Sequence, residues 1–262
     1  MPKAVRLVFL GTGGGRFVTV SQVLSTGGFR VETDQVFQVD PGPGALRDYR
    51  NLHLPFDFST ILLSHDHLDH VHDADVLISA VTDGNRDAWK AGHVIKKVNL
   101  IGTRTALDLV HPYFLKRTNS TAVNAGSEIK IGRTKLIFTP GDHSAEEVVG
   151  VVFEYGGRRL WYSSDTRILG EHYKLRNLDL AVLNVVYPRP NPHPRYDYHL
   201  SAGQVVKWAL EARPKTIIIR HFGMRMLKAG PDKVAAGIEK ATGVRTIAAK
   251  DGMVFELPAK KT

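Results

Sequence analysis

Four potential metal ligands occur within a six-residue stretch of this chain, namely His65, His67, Asp69 and His70. Alternate residues of an extended backbone point to the same side, so His65 and His67 can converge on one ion. Asp69 and His70 lie further along the chain and can reach a second ion. Since imidazole and carboxylate together suit zinc, iron or manganese, the stretch predicts a site for two metal ions.

The elements that must position these ligands follow from hydrophobic periodicity and turn residues. The predicted strands cover residues 5–10, 28–33, 36–40, 60–63, 99–101, 128–131, 135–139, 148–154, 159–163, 180–186, 216–219 and 254–256. The predicted helices cover residues 73–81, 105–114, 201–212 and 231–241. The ligand stretch therefore lies where a strand gives way to a helix. Two strand-rich stretches, each followed by helices, favour packed sheets covered by helices.

One segment fits neither the strand pattern nor the helix pattern. Residues 187–196 contain four alternating prolines, which forbid a helix or a central strand and predict a stiff, extended loop. Such a loop is either a surface connector or a basic, aromatic lip over a site.

The composition limits the types of metal ligand and indicates the charge of the substrate. The chain has 262 residues and no cysteine, which excludes disulfides and thiolate ligands, so any metal must be bound by imidazole and carboxylate. The 35 Lys and Arg against 26 Asp and Glu give a net charge of +9, and this charge attracts phosphates and other anions. We expect a single domain over residues 1–262.

The apolar run near the N-terminus, at residues 4–10, ends at once in a glycine turn. It is too short for the core of a signal peptide, and no stretch reaches the length of a transmembrane helix. These features predict a cytoplasmic, soluble protein without a membrane partner.

The motif His-x-His-x-Asp-His at the end of a strand resembles the signature of the metallo-β-lactamase-fold superfamily. The resemblance covers nearly the whole chain, because residues matching the other motifs of the superfamily occur in order: Asp40, His143, Asp165 and His221. It implies an α+β fold, the four-layer αβ/βα sandwich, with the site at one edge.

The resemblance also implies a ligand set for two divalent metal ions, zinc first, with manganese or iron as alternatives. The first ion would be bound by three histidines, namely His65, His67 and His143. The second would be bound by one aspartate and two histidines, namely Asp69, His70 and His221. Asp165 would bridge the two ions, and Asp40 would hydrogen-bond a ligand histidine.

Within the superfamily, the chain is most similar to the branch of ribonuclease Z and the carbon–phosphorus-lyase phosphodiesterase. Residues 10–16, a strand end followed by glycines and an arginine, resemble the opening of that branch. His199, just before a predicted helix, matches an extra histidine of the same branch. A metal-bridging hydroxide would attack the phosphodiester, and His199 would protonate the leaving group. Asp69 and His199 are thus the expected catalytic residues.

One departure from ribonuclease Z concerns the arm that grips tRNA, which is inserted between the third-motif histidine and the bridging aspartate. Here only residues 144–164 separate these positions, enough for two strands and a turn. The absence of an arm there argues against processing of tRNA 3′ ends.

The sequence thus predicts a phosphodiesterase that acts on an anionic phosphodiester, with nucleic acid as one possible substrate. A lactonase, a thiolesterase and an arylsulfatase-like hydrolase are the enzymatic alternatives. A non-catalytic, nucleic-acid-binding relative of the fold is the third alternative, although it would not need an intact ligand set. Since members of the superfamily are often dimers, a homodimer is also expected.

Overall fold

A computed structural model describes residues 4–82, 97–190 and 198–260, and within these residues the strands form two sheets. The first sheet has the order β15-β1-β2-β3-β4-β5-β6. Its strands are β1 (Val5–Phe9), β2 (Phe29–Glu32), β3 (Val36–Val39), β4 (Thr60–Leu63), β5 (Val98–Gly102), β6 (Thr118–Ala122) and β15 (Val254–Leu257). The strands from β3 to β6 run parallel, whereas β1 pairs antiparallel with β2 and β15.

The second sheet has the order β14-β13-β11-β10-β9-β8-β7, with β12 beside β11. Its strands are β7 (Glu128–Ile131), β8 (Thr134–Pro140), β9 (Val149–Tyr155), β10 (Arg158–Tyr162), β11 (Leu180–Tyr187), β12 (Leu200–Ser201), β13 (Thr216–Arg220) and β14 (Arg245–Ala248). β10, β11, β13 and β14 are parallel neighbours. The apolar runs of β11 and β13 suit this place, because helices and the other sheet cover both faces of a central strand.

The described residues also form nine α helices. They are α1 (Arg16–Ser21), α2 (Ala45–Asn51), α3 (Leu68–Val71), α4 (Ala74–Thr82), α5 (Arg104–Asp108), α6 (Pro112–Leu115), α7 (Ala202–Ala212), α8 (Met224–Ala229) and α9 (Pro231–Thr242), with a 3₁₀ helix at Gly170–Lys174. No helix in these three described ranges is long and apolar enough to cross a bilayer.

Three apolar clusters hold the layers together. The cluster between the sheets pairs Phe37 of β3 with Phe153 of β9, with ring centroids 5.5 Å apart. A second cluster packs α7 and α9 on the second sheet around the fully buried Trp208, and a third packs α2, α4 and α5 on the first sheet. Each such large side chain contributes about 1.5–3 kcal/mol on burial. The predicted α+β fold, a four-layer αβ/βα sandwich, is confirmed.

The predicted elements agree with the structure except where contacts between distant segments determine the secondary structure. Each predicted strand is present, but β6, β12 and β14 were not predicted; β6 is a polar segment that is extended because it pairs with β5. The predicted helix over residues 105–114 is wrong. Two short helices, α5 and α6, replace it, because Pro112 cannot donate a helical hydrogen bond and instead begins α6. Of the predicted proline-rich loop, residues 191–196 lie outside the described residues.

Candidate metal centre

The candidate ligands meet at the edge of the sandwich where parallel strands end. β4 leads into the stretch that begins at His65, and its neighbour β3 ends before Asp40. In the second sheet, β10 leads to Asp165 and β13 to His221, and β11 pairs with both strands. Since the carboxyl ends of parallel strands share one edge, residues distant in sequence converge there.

The first group of ligands contains the three histidines predicted for the first ion. Three ring nitrogens lie within 4.8 Å of one another, one each from His65, His67 and His143. His143 Nε2 is 3.0 Å from His67 Nδ1. Nδ1–H of His143 donates to the backbone oxygen of Tyr198 at 3.0 Å, because a carbonyl oxygen can only accept. Nε2 of His143 is thereby directed into the site.

The second group contains the residues predicted for the second ion. Ligand atoms of Asp69, His70 and His221 also lie within 4.8 Å of one another. His221 Nε2 is 3.6 Å from Asp69 Oδ2. The backbone N–H of Gly15 donates to the same Asp69 oxygen at 3.2 Å, which fixes the carboxylate from the outer side.

Asp165 lies between the two groups. Its Oδ2 atom is 3.1 Å from His221 Nε2, 3.4 Å from His70 Nε2 and 3.8 Å from His143 Nε2. The other oxygen, Oδ1, accepts a hydrogen bond from Asn184 Nδ2 at 2.6 Å. One carboxylate oxygen is therefore available to both groups, while the other is anchored to the sheet.

The charges of this cluster are strongly coupled. Burial opposes ionisation of Asp165, but His221, His70 and His199 outweigh it and hold the pKa of the carboxyl well below its usual range. Burial also opposes the charged form of His70, yet Asp165 and Asp69 raise the pKa of its ring well above the ordinary value. Burial lowers the pKa of His65 instead, and the neighbouring His70 adds to that effect. Protonated imidazole is thus favoured beside the Asp165 carboxylate, and a bound cation would take the place of those protons.

A buried network behind the ligands centres on Asp40. This carboxylate accepts from the backbone N–H of Ser64 at 2.7 Å, from the Ser64 hydroxyl at 2.5 Å and from the Tyr162 hydroxyl at 2.7 Å. It also lies 2.9 Å from His70 Nδ1, which is the contact with a motif histidine expected from the sequence. The Ser164 hydroxyl donates to Ser64 Oγ at 2.6 Å and so joins the second sheet to the first.

Three residues of this edge have a left-handed backbone although none is glycine. They are Asp40 (φ 45°), Ser164 (φ 55°) and His221 (φ 62°). Each lies just after a strand and turns the chain sharply. His221, and Asp165 after Ser164, thereby face the site, whereas Asp40 faces the buried network behind it. This conformation costs on the order of 1–2 kcal/mol per residue, and at Asp40 and Ser164 the hydrogen bonds of the network offset the cost.

The predicted glycine turn after β1 lies directly against the site. A Cβ atom added to Gly14 would overlap the ring of His221, so only glycine fits there. Asp251 holds this turn by accepting from the backbone N–H of Thr12 at 2.8 Å and from that of Ser25 at 2.9 Å. The close approach of backbone to His221 is the reason for glycine at this position.

His199 also reaches the cluster. Its Nδ1 atom is 3.4 Å from Asp165 Oδ2, and its ring centroid is 4.6 Å from that of His143. Burial lowers the pKa of His199 to about 4, because Asp165 only partly offsets the desolvation and the neighbouring His143 and His221 lower it further. The ring is therefore neutral near pH 7 unless an additional negative charge lies beside it.

The residues present fit divalent cations. Within the described part of the chain, four histidine nitrogens at this edge are buried without a hydrogen-bond partner: His65 Nε2, His70 Nε2, His199 Nδ1 and His221 Nε2. Buried polar atoms of native proteins are normally paired, so such a convergent set indicates a bound group. Neutral imidazoles and carboxylates are the donor set of zinc and related divalent ions.

The structure brings together every site residue that the sequence predicted. Sequence reasoning missed the buried support from Asn184 and Tyr162, and from Arg220, whose Nη1 atom donates to Asn184 Oδ1 at 2.9 Å. The signal was present for Asn184, since an amide inside the apolar strand β11 needs a buried partner. His72, two residues beyond the motif, is exposed.

Comparison with known sequences gives a family and one relative. The family model of the beta-lactamase superfamily domain matches residues 36–222, a range that contains every proposed ligand. An uncharacterized protein of Methanocaldococcus jannaschii is 26% identical over 260 residues, which cover 97% of this chain and 95% of that protein.

Similar solved structures show the same fold. The metallo-beta-lactamase fold protein YhfI from Bacillus subtilis has a TM-score of 0.78 and 17% identity, and the match covers 97% of this chain and 99% of YhfI. Human tRNase Z, short form, has a TM-score of 0.74 and 14% identity, with coverage of 97% and 99%. A diphosphatase from the PhnP family has a TM-score of 0.68 and 18% identity, with coverage of 98% and 100%.

Proposed function

Because the chain belongs to the beta-lactamase superfamily, we propose that it is a hydrolase with two divalent metal ions and that its substrate is a phosphodiester. The observation that carries this proposal is the position of Asp165, whose Oδ2 atom lies 3.1–3.8 Å from nitrogens of four histidines that come from four different segments. A carboxylate shared in this way suits two cations a short distance apart, because it offsets part of their mutual repulsion.

Each residue has a proposed role. The first ion would be held by His65, His67 and His143, the second by Asp69, His70 and His221, and Asp165 would serve both. Zinc fits this donor set, and manganese and iron are the alternatives. When bound, such ions act as Lewis acids toward a phosphoryl oxygen and toward water. Asp69 would also orient the reacting water through the carboxylate that Gly15 fixes.

His199 is the proposed proton donor for the leaving group. Its ring borders both Asp165 and the open groove beyond it, so it can contact a substrate that lies on the ions. A phosphodiester anion beside the ring would favour the protonated form, because a nearby opposite charge raises the pKa of an imidazole. The same ring could then donate its proton to the departing alkoxide.

Two observations favour a phosphodiester over the other substrates of metal-dependent hydrolases. The net charge of +9 attracts anions, whereas it gives no advantage with a neutral lactone or thioester. Two proteins of similar fold are described as a tRNase Z and as a diphosphatase from the PhnP family. Residues 144–164 form β9, β10 and a tight turn at Gly156, without an arm at this position, which favours a small phosphodiester over tRNA.

The test combines metal analysis with a substrate panel. The metal-loaded protein is assayed with bis-p-nitrophenyl phosphate, a lactone and a thioester, and its metal content is measured by mass spectrometry. We expect two equivalents of metal and hydrolysis of the phosphodiester, and we expect His199→Ala to lose turnover while it keeps both equivalents. Cleavage of the lactone or thioester alone would overturn the proposal, and full metal content without any hydrolysis would favour the non-catalytic, nucleic-acid-binding alternative.

A further inference from the structure

A groove with a volume of about 360 Å³ opens beside His199, between α1 and α8. We refer to it as the first groove and define it by the six lining residues that bear on ligand chemistry: Arg16, Phe17, Tyr187, His199, Met224 and Arg225. Phe17 is 76% exposed and Met224 is 39% exposed, although both are large apolar side chains. The groove thus offers an aromatic and thioether surface with two cationic side chains beside it.

The first groove is continuous with the candidate metal centre. Gly14 and Gly15 also line it; Gly15 donates to Asp69, and Gly14 lies against His221. The ring of Tyr187 is 6.2 Å from that of His199, nearly perpendicular to it. A ligand whose phosphate lies on the ions would therefore extend one ester group directly along these side chains.

A groove of the reverse character borders the candidate metal centre at His143. A second groove, with a volume of about 330 Å³, lies beyond His143, and we define it by three acidic residues, Asp142, Glu146 and Glu147. Asp142 accepts from Arg167 Nε at 2.9 Å, so that its charge is compensated. Glu147 accepts only from the backbone N–H of Thr105 at 3.0 Å among the contacts of the described residues, which leaves its negative charge in the groove.

We propose that the substrate is a phosphodiester that joins a nucleoside to an uncharged alcohol, with the nucleoside in the first groove and the alcohol toward the second groove. This inference rests on the proposed phosphodiesterase function and names its substrate class. Phe17 and Met224 provide exposed surfaces on which a base can stack. Tyr187 completes this wall with Arg225 Cζ 6.0 Å from its ring centroid, and Arg16 and Arg225 attract the adjacent phosphate. Glu146 and Glu147 repel a further phosphate, so a polynucleotide chain cannot continue on that side without cost.

The first arm of the test measures binding by calorimetry on the metal-loaded protein, with adenosine 5′-monophosphate and ribose 5-phosphate as probes. Both carry the same phosphate and sugar, so the ratio of their Kd values isolates the base. We expect the nucleotide to bind at least about tenfold more tightly, which is the lower range for stacking of one base. Equal Kd values would overturn the assignment of the first groove.

Variants of the first groove test whether the base binds there. Phe17→Ala and Tyr187→Leu are expected to reduce the ratio of Kd values severalfold without changing the Kd of ribose 5-phosphate. Val20→Ala is the matched control, because Val20 lies on the same helix, is 81% exposed and does not line the groove. A ratio that falls equally in Val20→Ala, or that does not fall in either groove variant, would contradict the proposal.

The second arm tests the acidic side with a phosphorothioate-linked tetraadenylate, which keeps the charge of a polynucleotide but resists cleavage. The double variant Glu146→Gln/Glu147→Gln retains the hydrogen-bond acceptors and removes both charges. We expect it to bind the tetraadenylate about fivefold or more tightly than the parent protein, with an unchanged Kd for adenosine 5′-monophosphate. An unchanged Kd for the tetraadenylate would overturn the exclusion of a polynucleotide.

The two proposals fail in different ways. A protein that hydrolyses bis-p-nitrophenyl phosphate but binds the nucleotide no better than ribose 5-phosphate contradicts only the substrate class. A protein that shows the expected Kd ratios and hydrolyses no phosphodiester contradicts the proposed function and leaves the groove as a nucleotide-binding site.

Discussion

His70 is fixed from behind by Asp40: its Nδ1 atom lies 2.9 Å from Asp40 Oδ2, and its Nε2 atom lies 3.4 Å from Asp165 Oδ2. Since a carboxylate only accepts, Nδ1 carries the proton and Nε2 is the atom offered to a ligand. The orientation of this ring is therefore set by a residue that is not among the proposed ligands.

Asp40→Asn should weaken metal binding without removing a ligand. An amide can present its N–H group to His70 Nδ1 and disturb the tautomer, and such supporting contacts are worth about 10–100-fold in metal affinity. Titration against a competing chelator measures the change. Asp66→Asn is the control within the motif, because Asp66 is not in a proposed ligand position, and equal losses in both variants would contradict the orienting role of Asp40.

Asp165→Asn should lose at least one equivalent of metal and nearly all phosphodiesterase activity. The substitution removes the negative charge that the two ions share and keeps the volume of the side chain. Metal content by mass spectrometry, with turnover of bis-p-nitrophenyl phosphate, checks this expectation. Asp142→Asn serves as the control near His143, and two full equivalents in Asp165→Asn would show that this carboxylate is not a bridge.

Gly14→Ala should displace His221, because the added methyl group would occupy the position of the imidazole ring. A shift of about 1 Å in a catalytic group can cost on the order of 100-fold in rate, and we expect a loss of that size in kcat/KM. Gly237→Ala is the matched control in α9, where a Cβ atom meets nothing within 4 Å. That variant should keep its activity and gain about 0.5–1 kcal/mol in unfolding free energy.

Because of Asp179, the unfolding free energy should fall as the pH becomes acidic. Burial alone would raise its pKa, but Lys215, the backbone N–H of Arg159 and Arg158 lower it. A carboxyl with a lowered folded-state pKa stabilises the protein above the unfolded-state value of about 4, and this contribution disappears as the pH falls through the folded-state pKa.

Asp179→Asn removes a charge that accepts three hydrogen bonds and should destabilise the protein by about 1.5–3 kcal/mol at pH 7, the range for a hydrogen bond to a charged group. Its difference from the parent protein should shrink as the pH falls below about 4. Denaturant unfolding of both proteins in a chelator, at several pH values, measures the difference without a contribution from metal. A gap between the two proteins that widens in acid would contradict the expected sign.

The clustering of the candidate ligands in residues 65–70 could be predicted because its information is local. His65 and His67 follow an apolar strand at a spacing that places both rings on one side, and the structure has this arrangement. The convergence of His143, Asp165 and His221 with that stretch depends on strand order, which a single sequence does not give; the resemblance to a family supplied it. The single-domain organisation, the homodimer and the cellular location stay predictions.

The network of Tyr162, Asn184 and Arg220 could not be predicted from the sequence, for a different reason. Tyr162 and Arg220 end strands that read as ordinary buried segments, and only the pairing of β10 and β13 with β11 places them around Asn184. Likewise, the polar segment of β6 has no strand pattern of its own. In both cases the structure depends on contacts between segments far apart in sequence, and these override local propensity.

The division of the candidate ligands between the two sheets would link the lifetime of the folded protein to its metal supply. The chain has no cysteine, and ions bound across this edge would join the two layers much as a cross-link does. The unfolded chain has no assembled site, so an ion present at about 100 times its Kd adds about 2.7 kcal/mol to the unfolding free energy. A cell depleted of the metal would then hold more unfolded chain and degrade it faster, so the abundance of the protein would follow the free metal concentration.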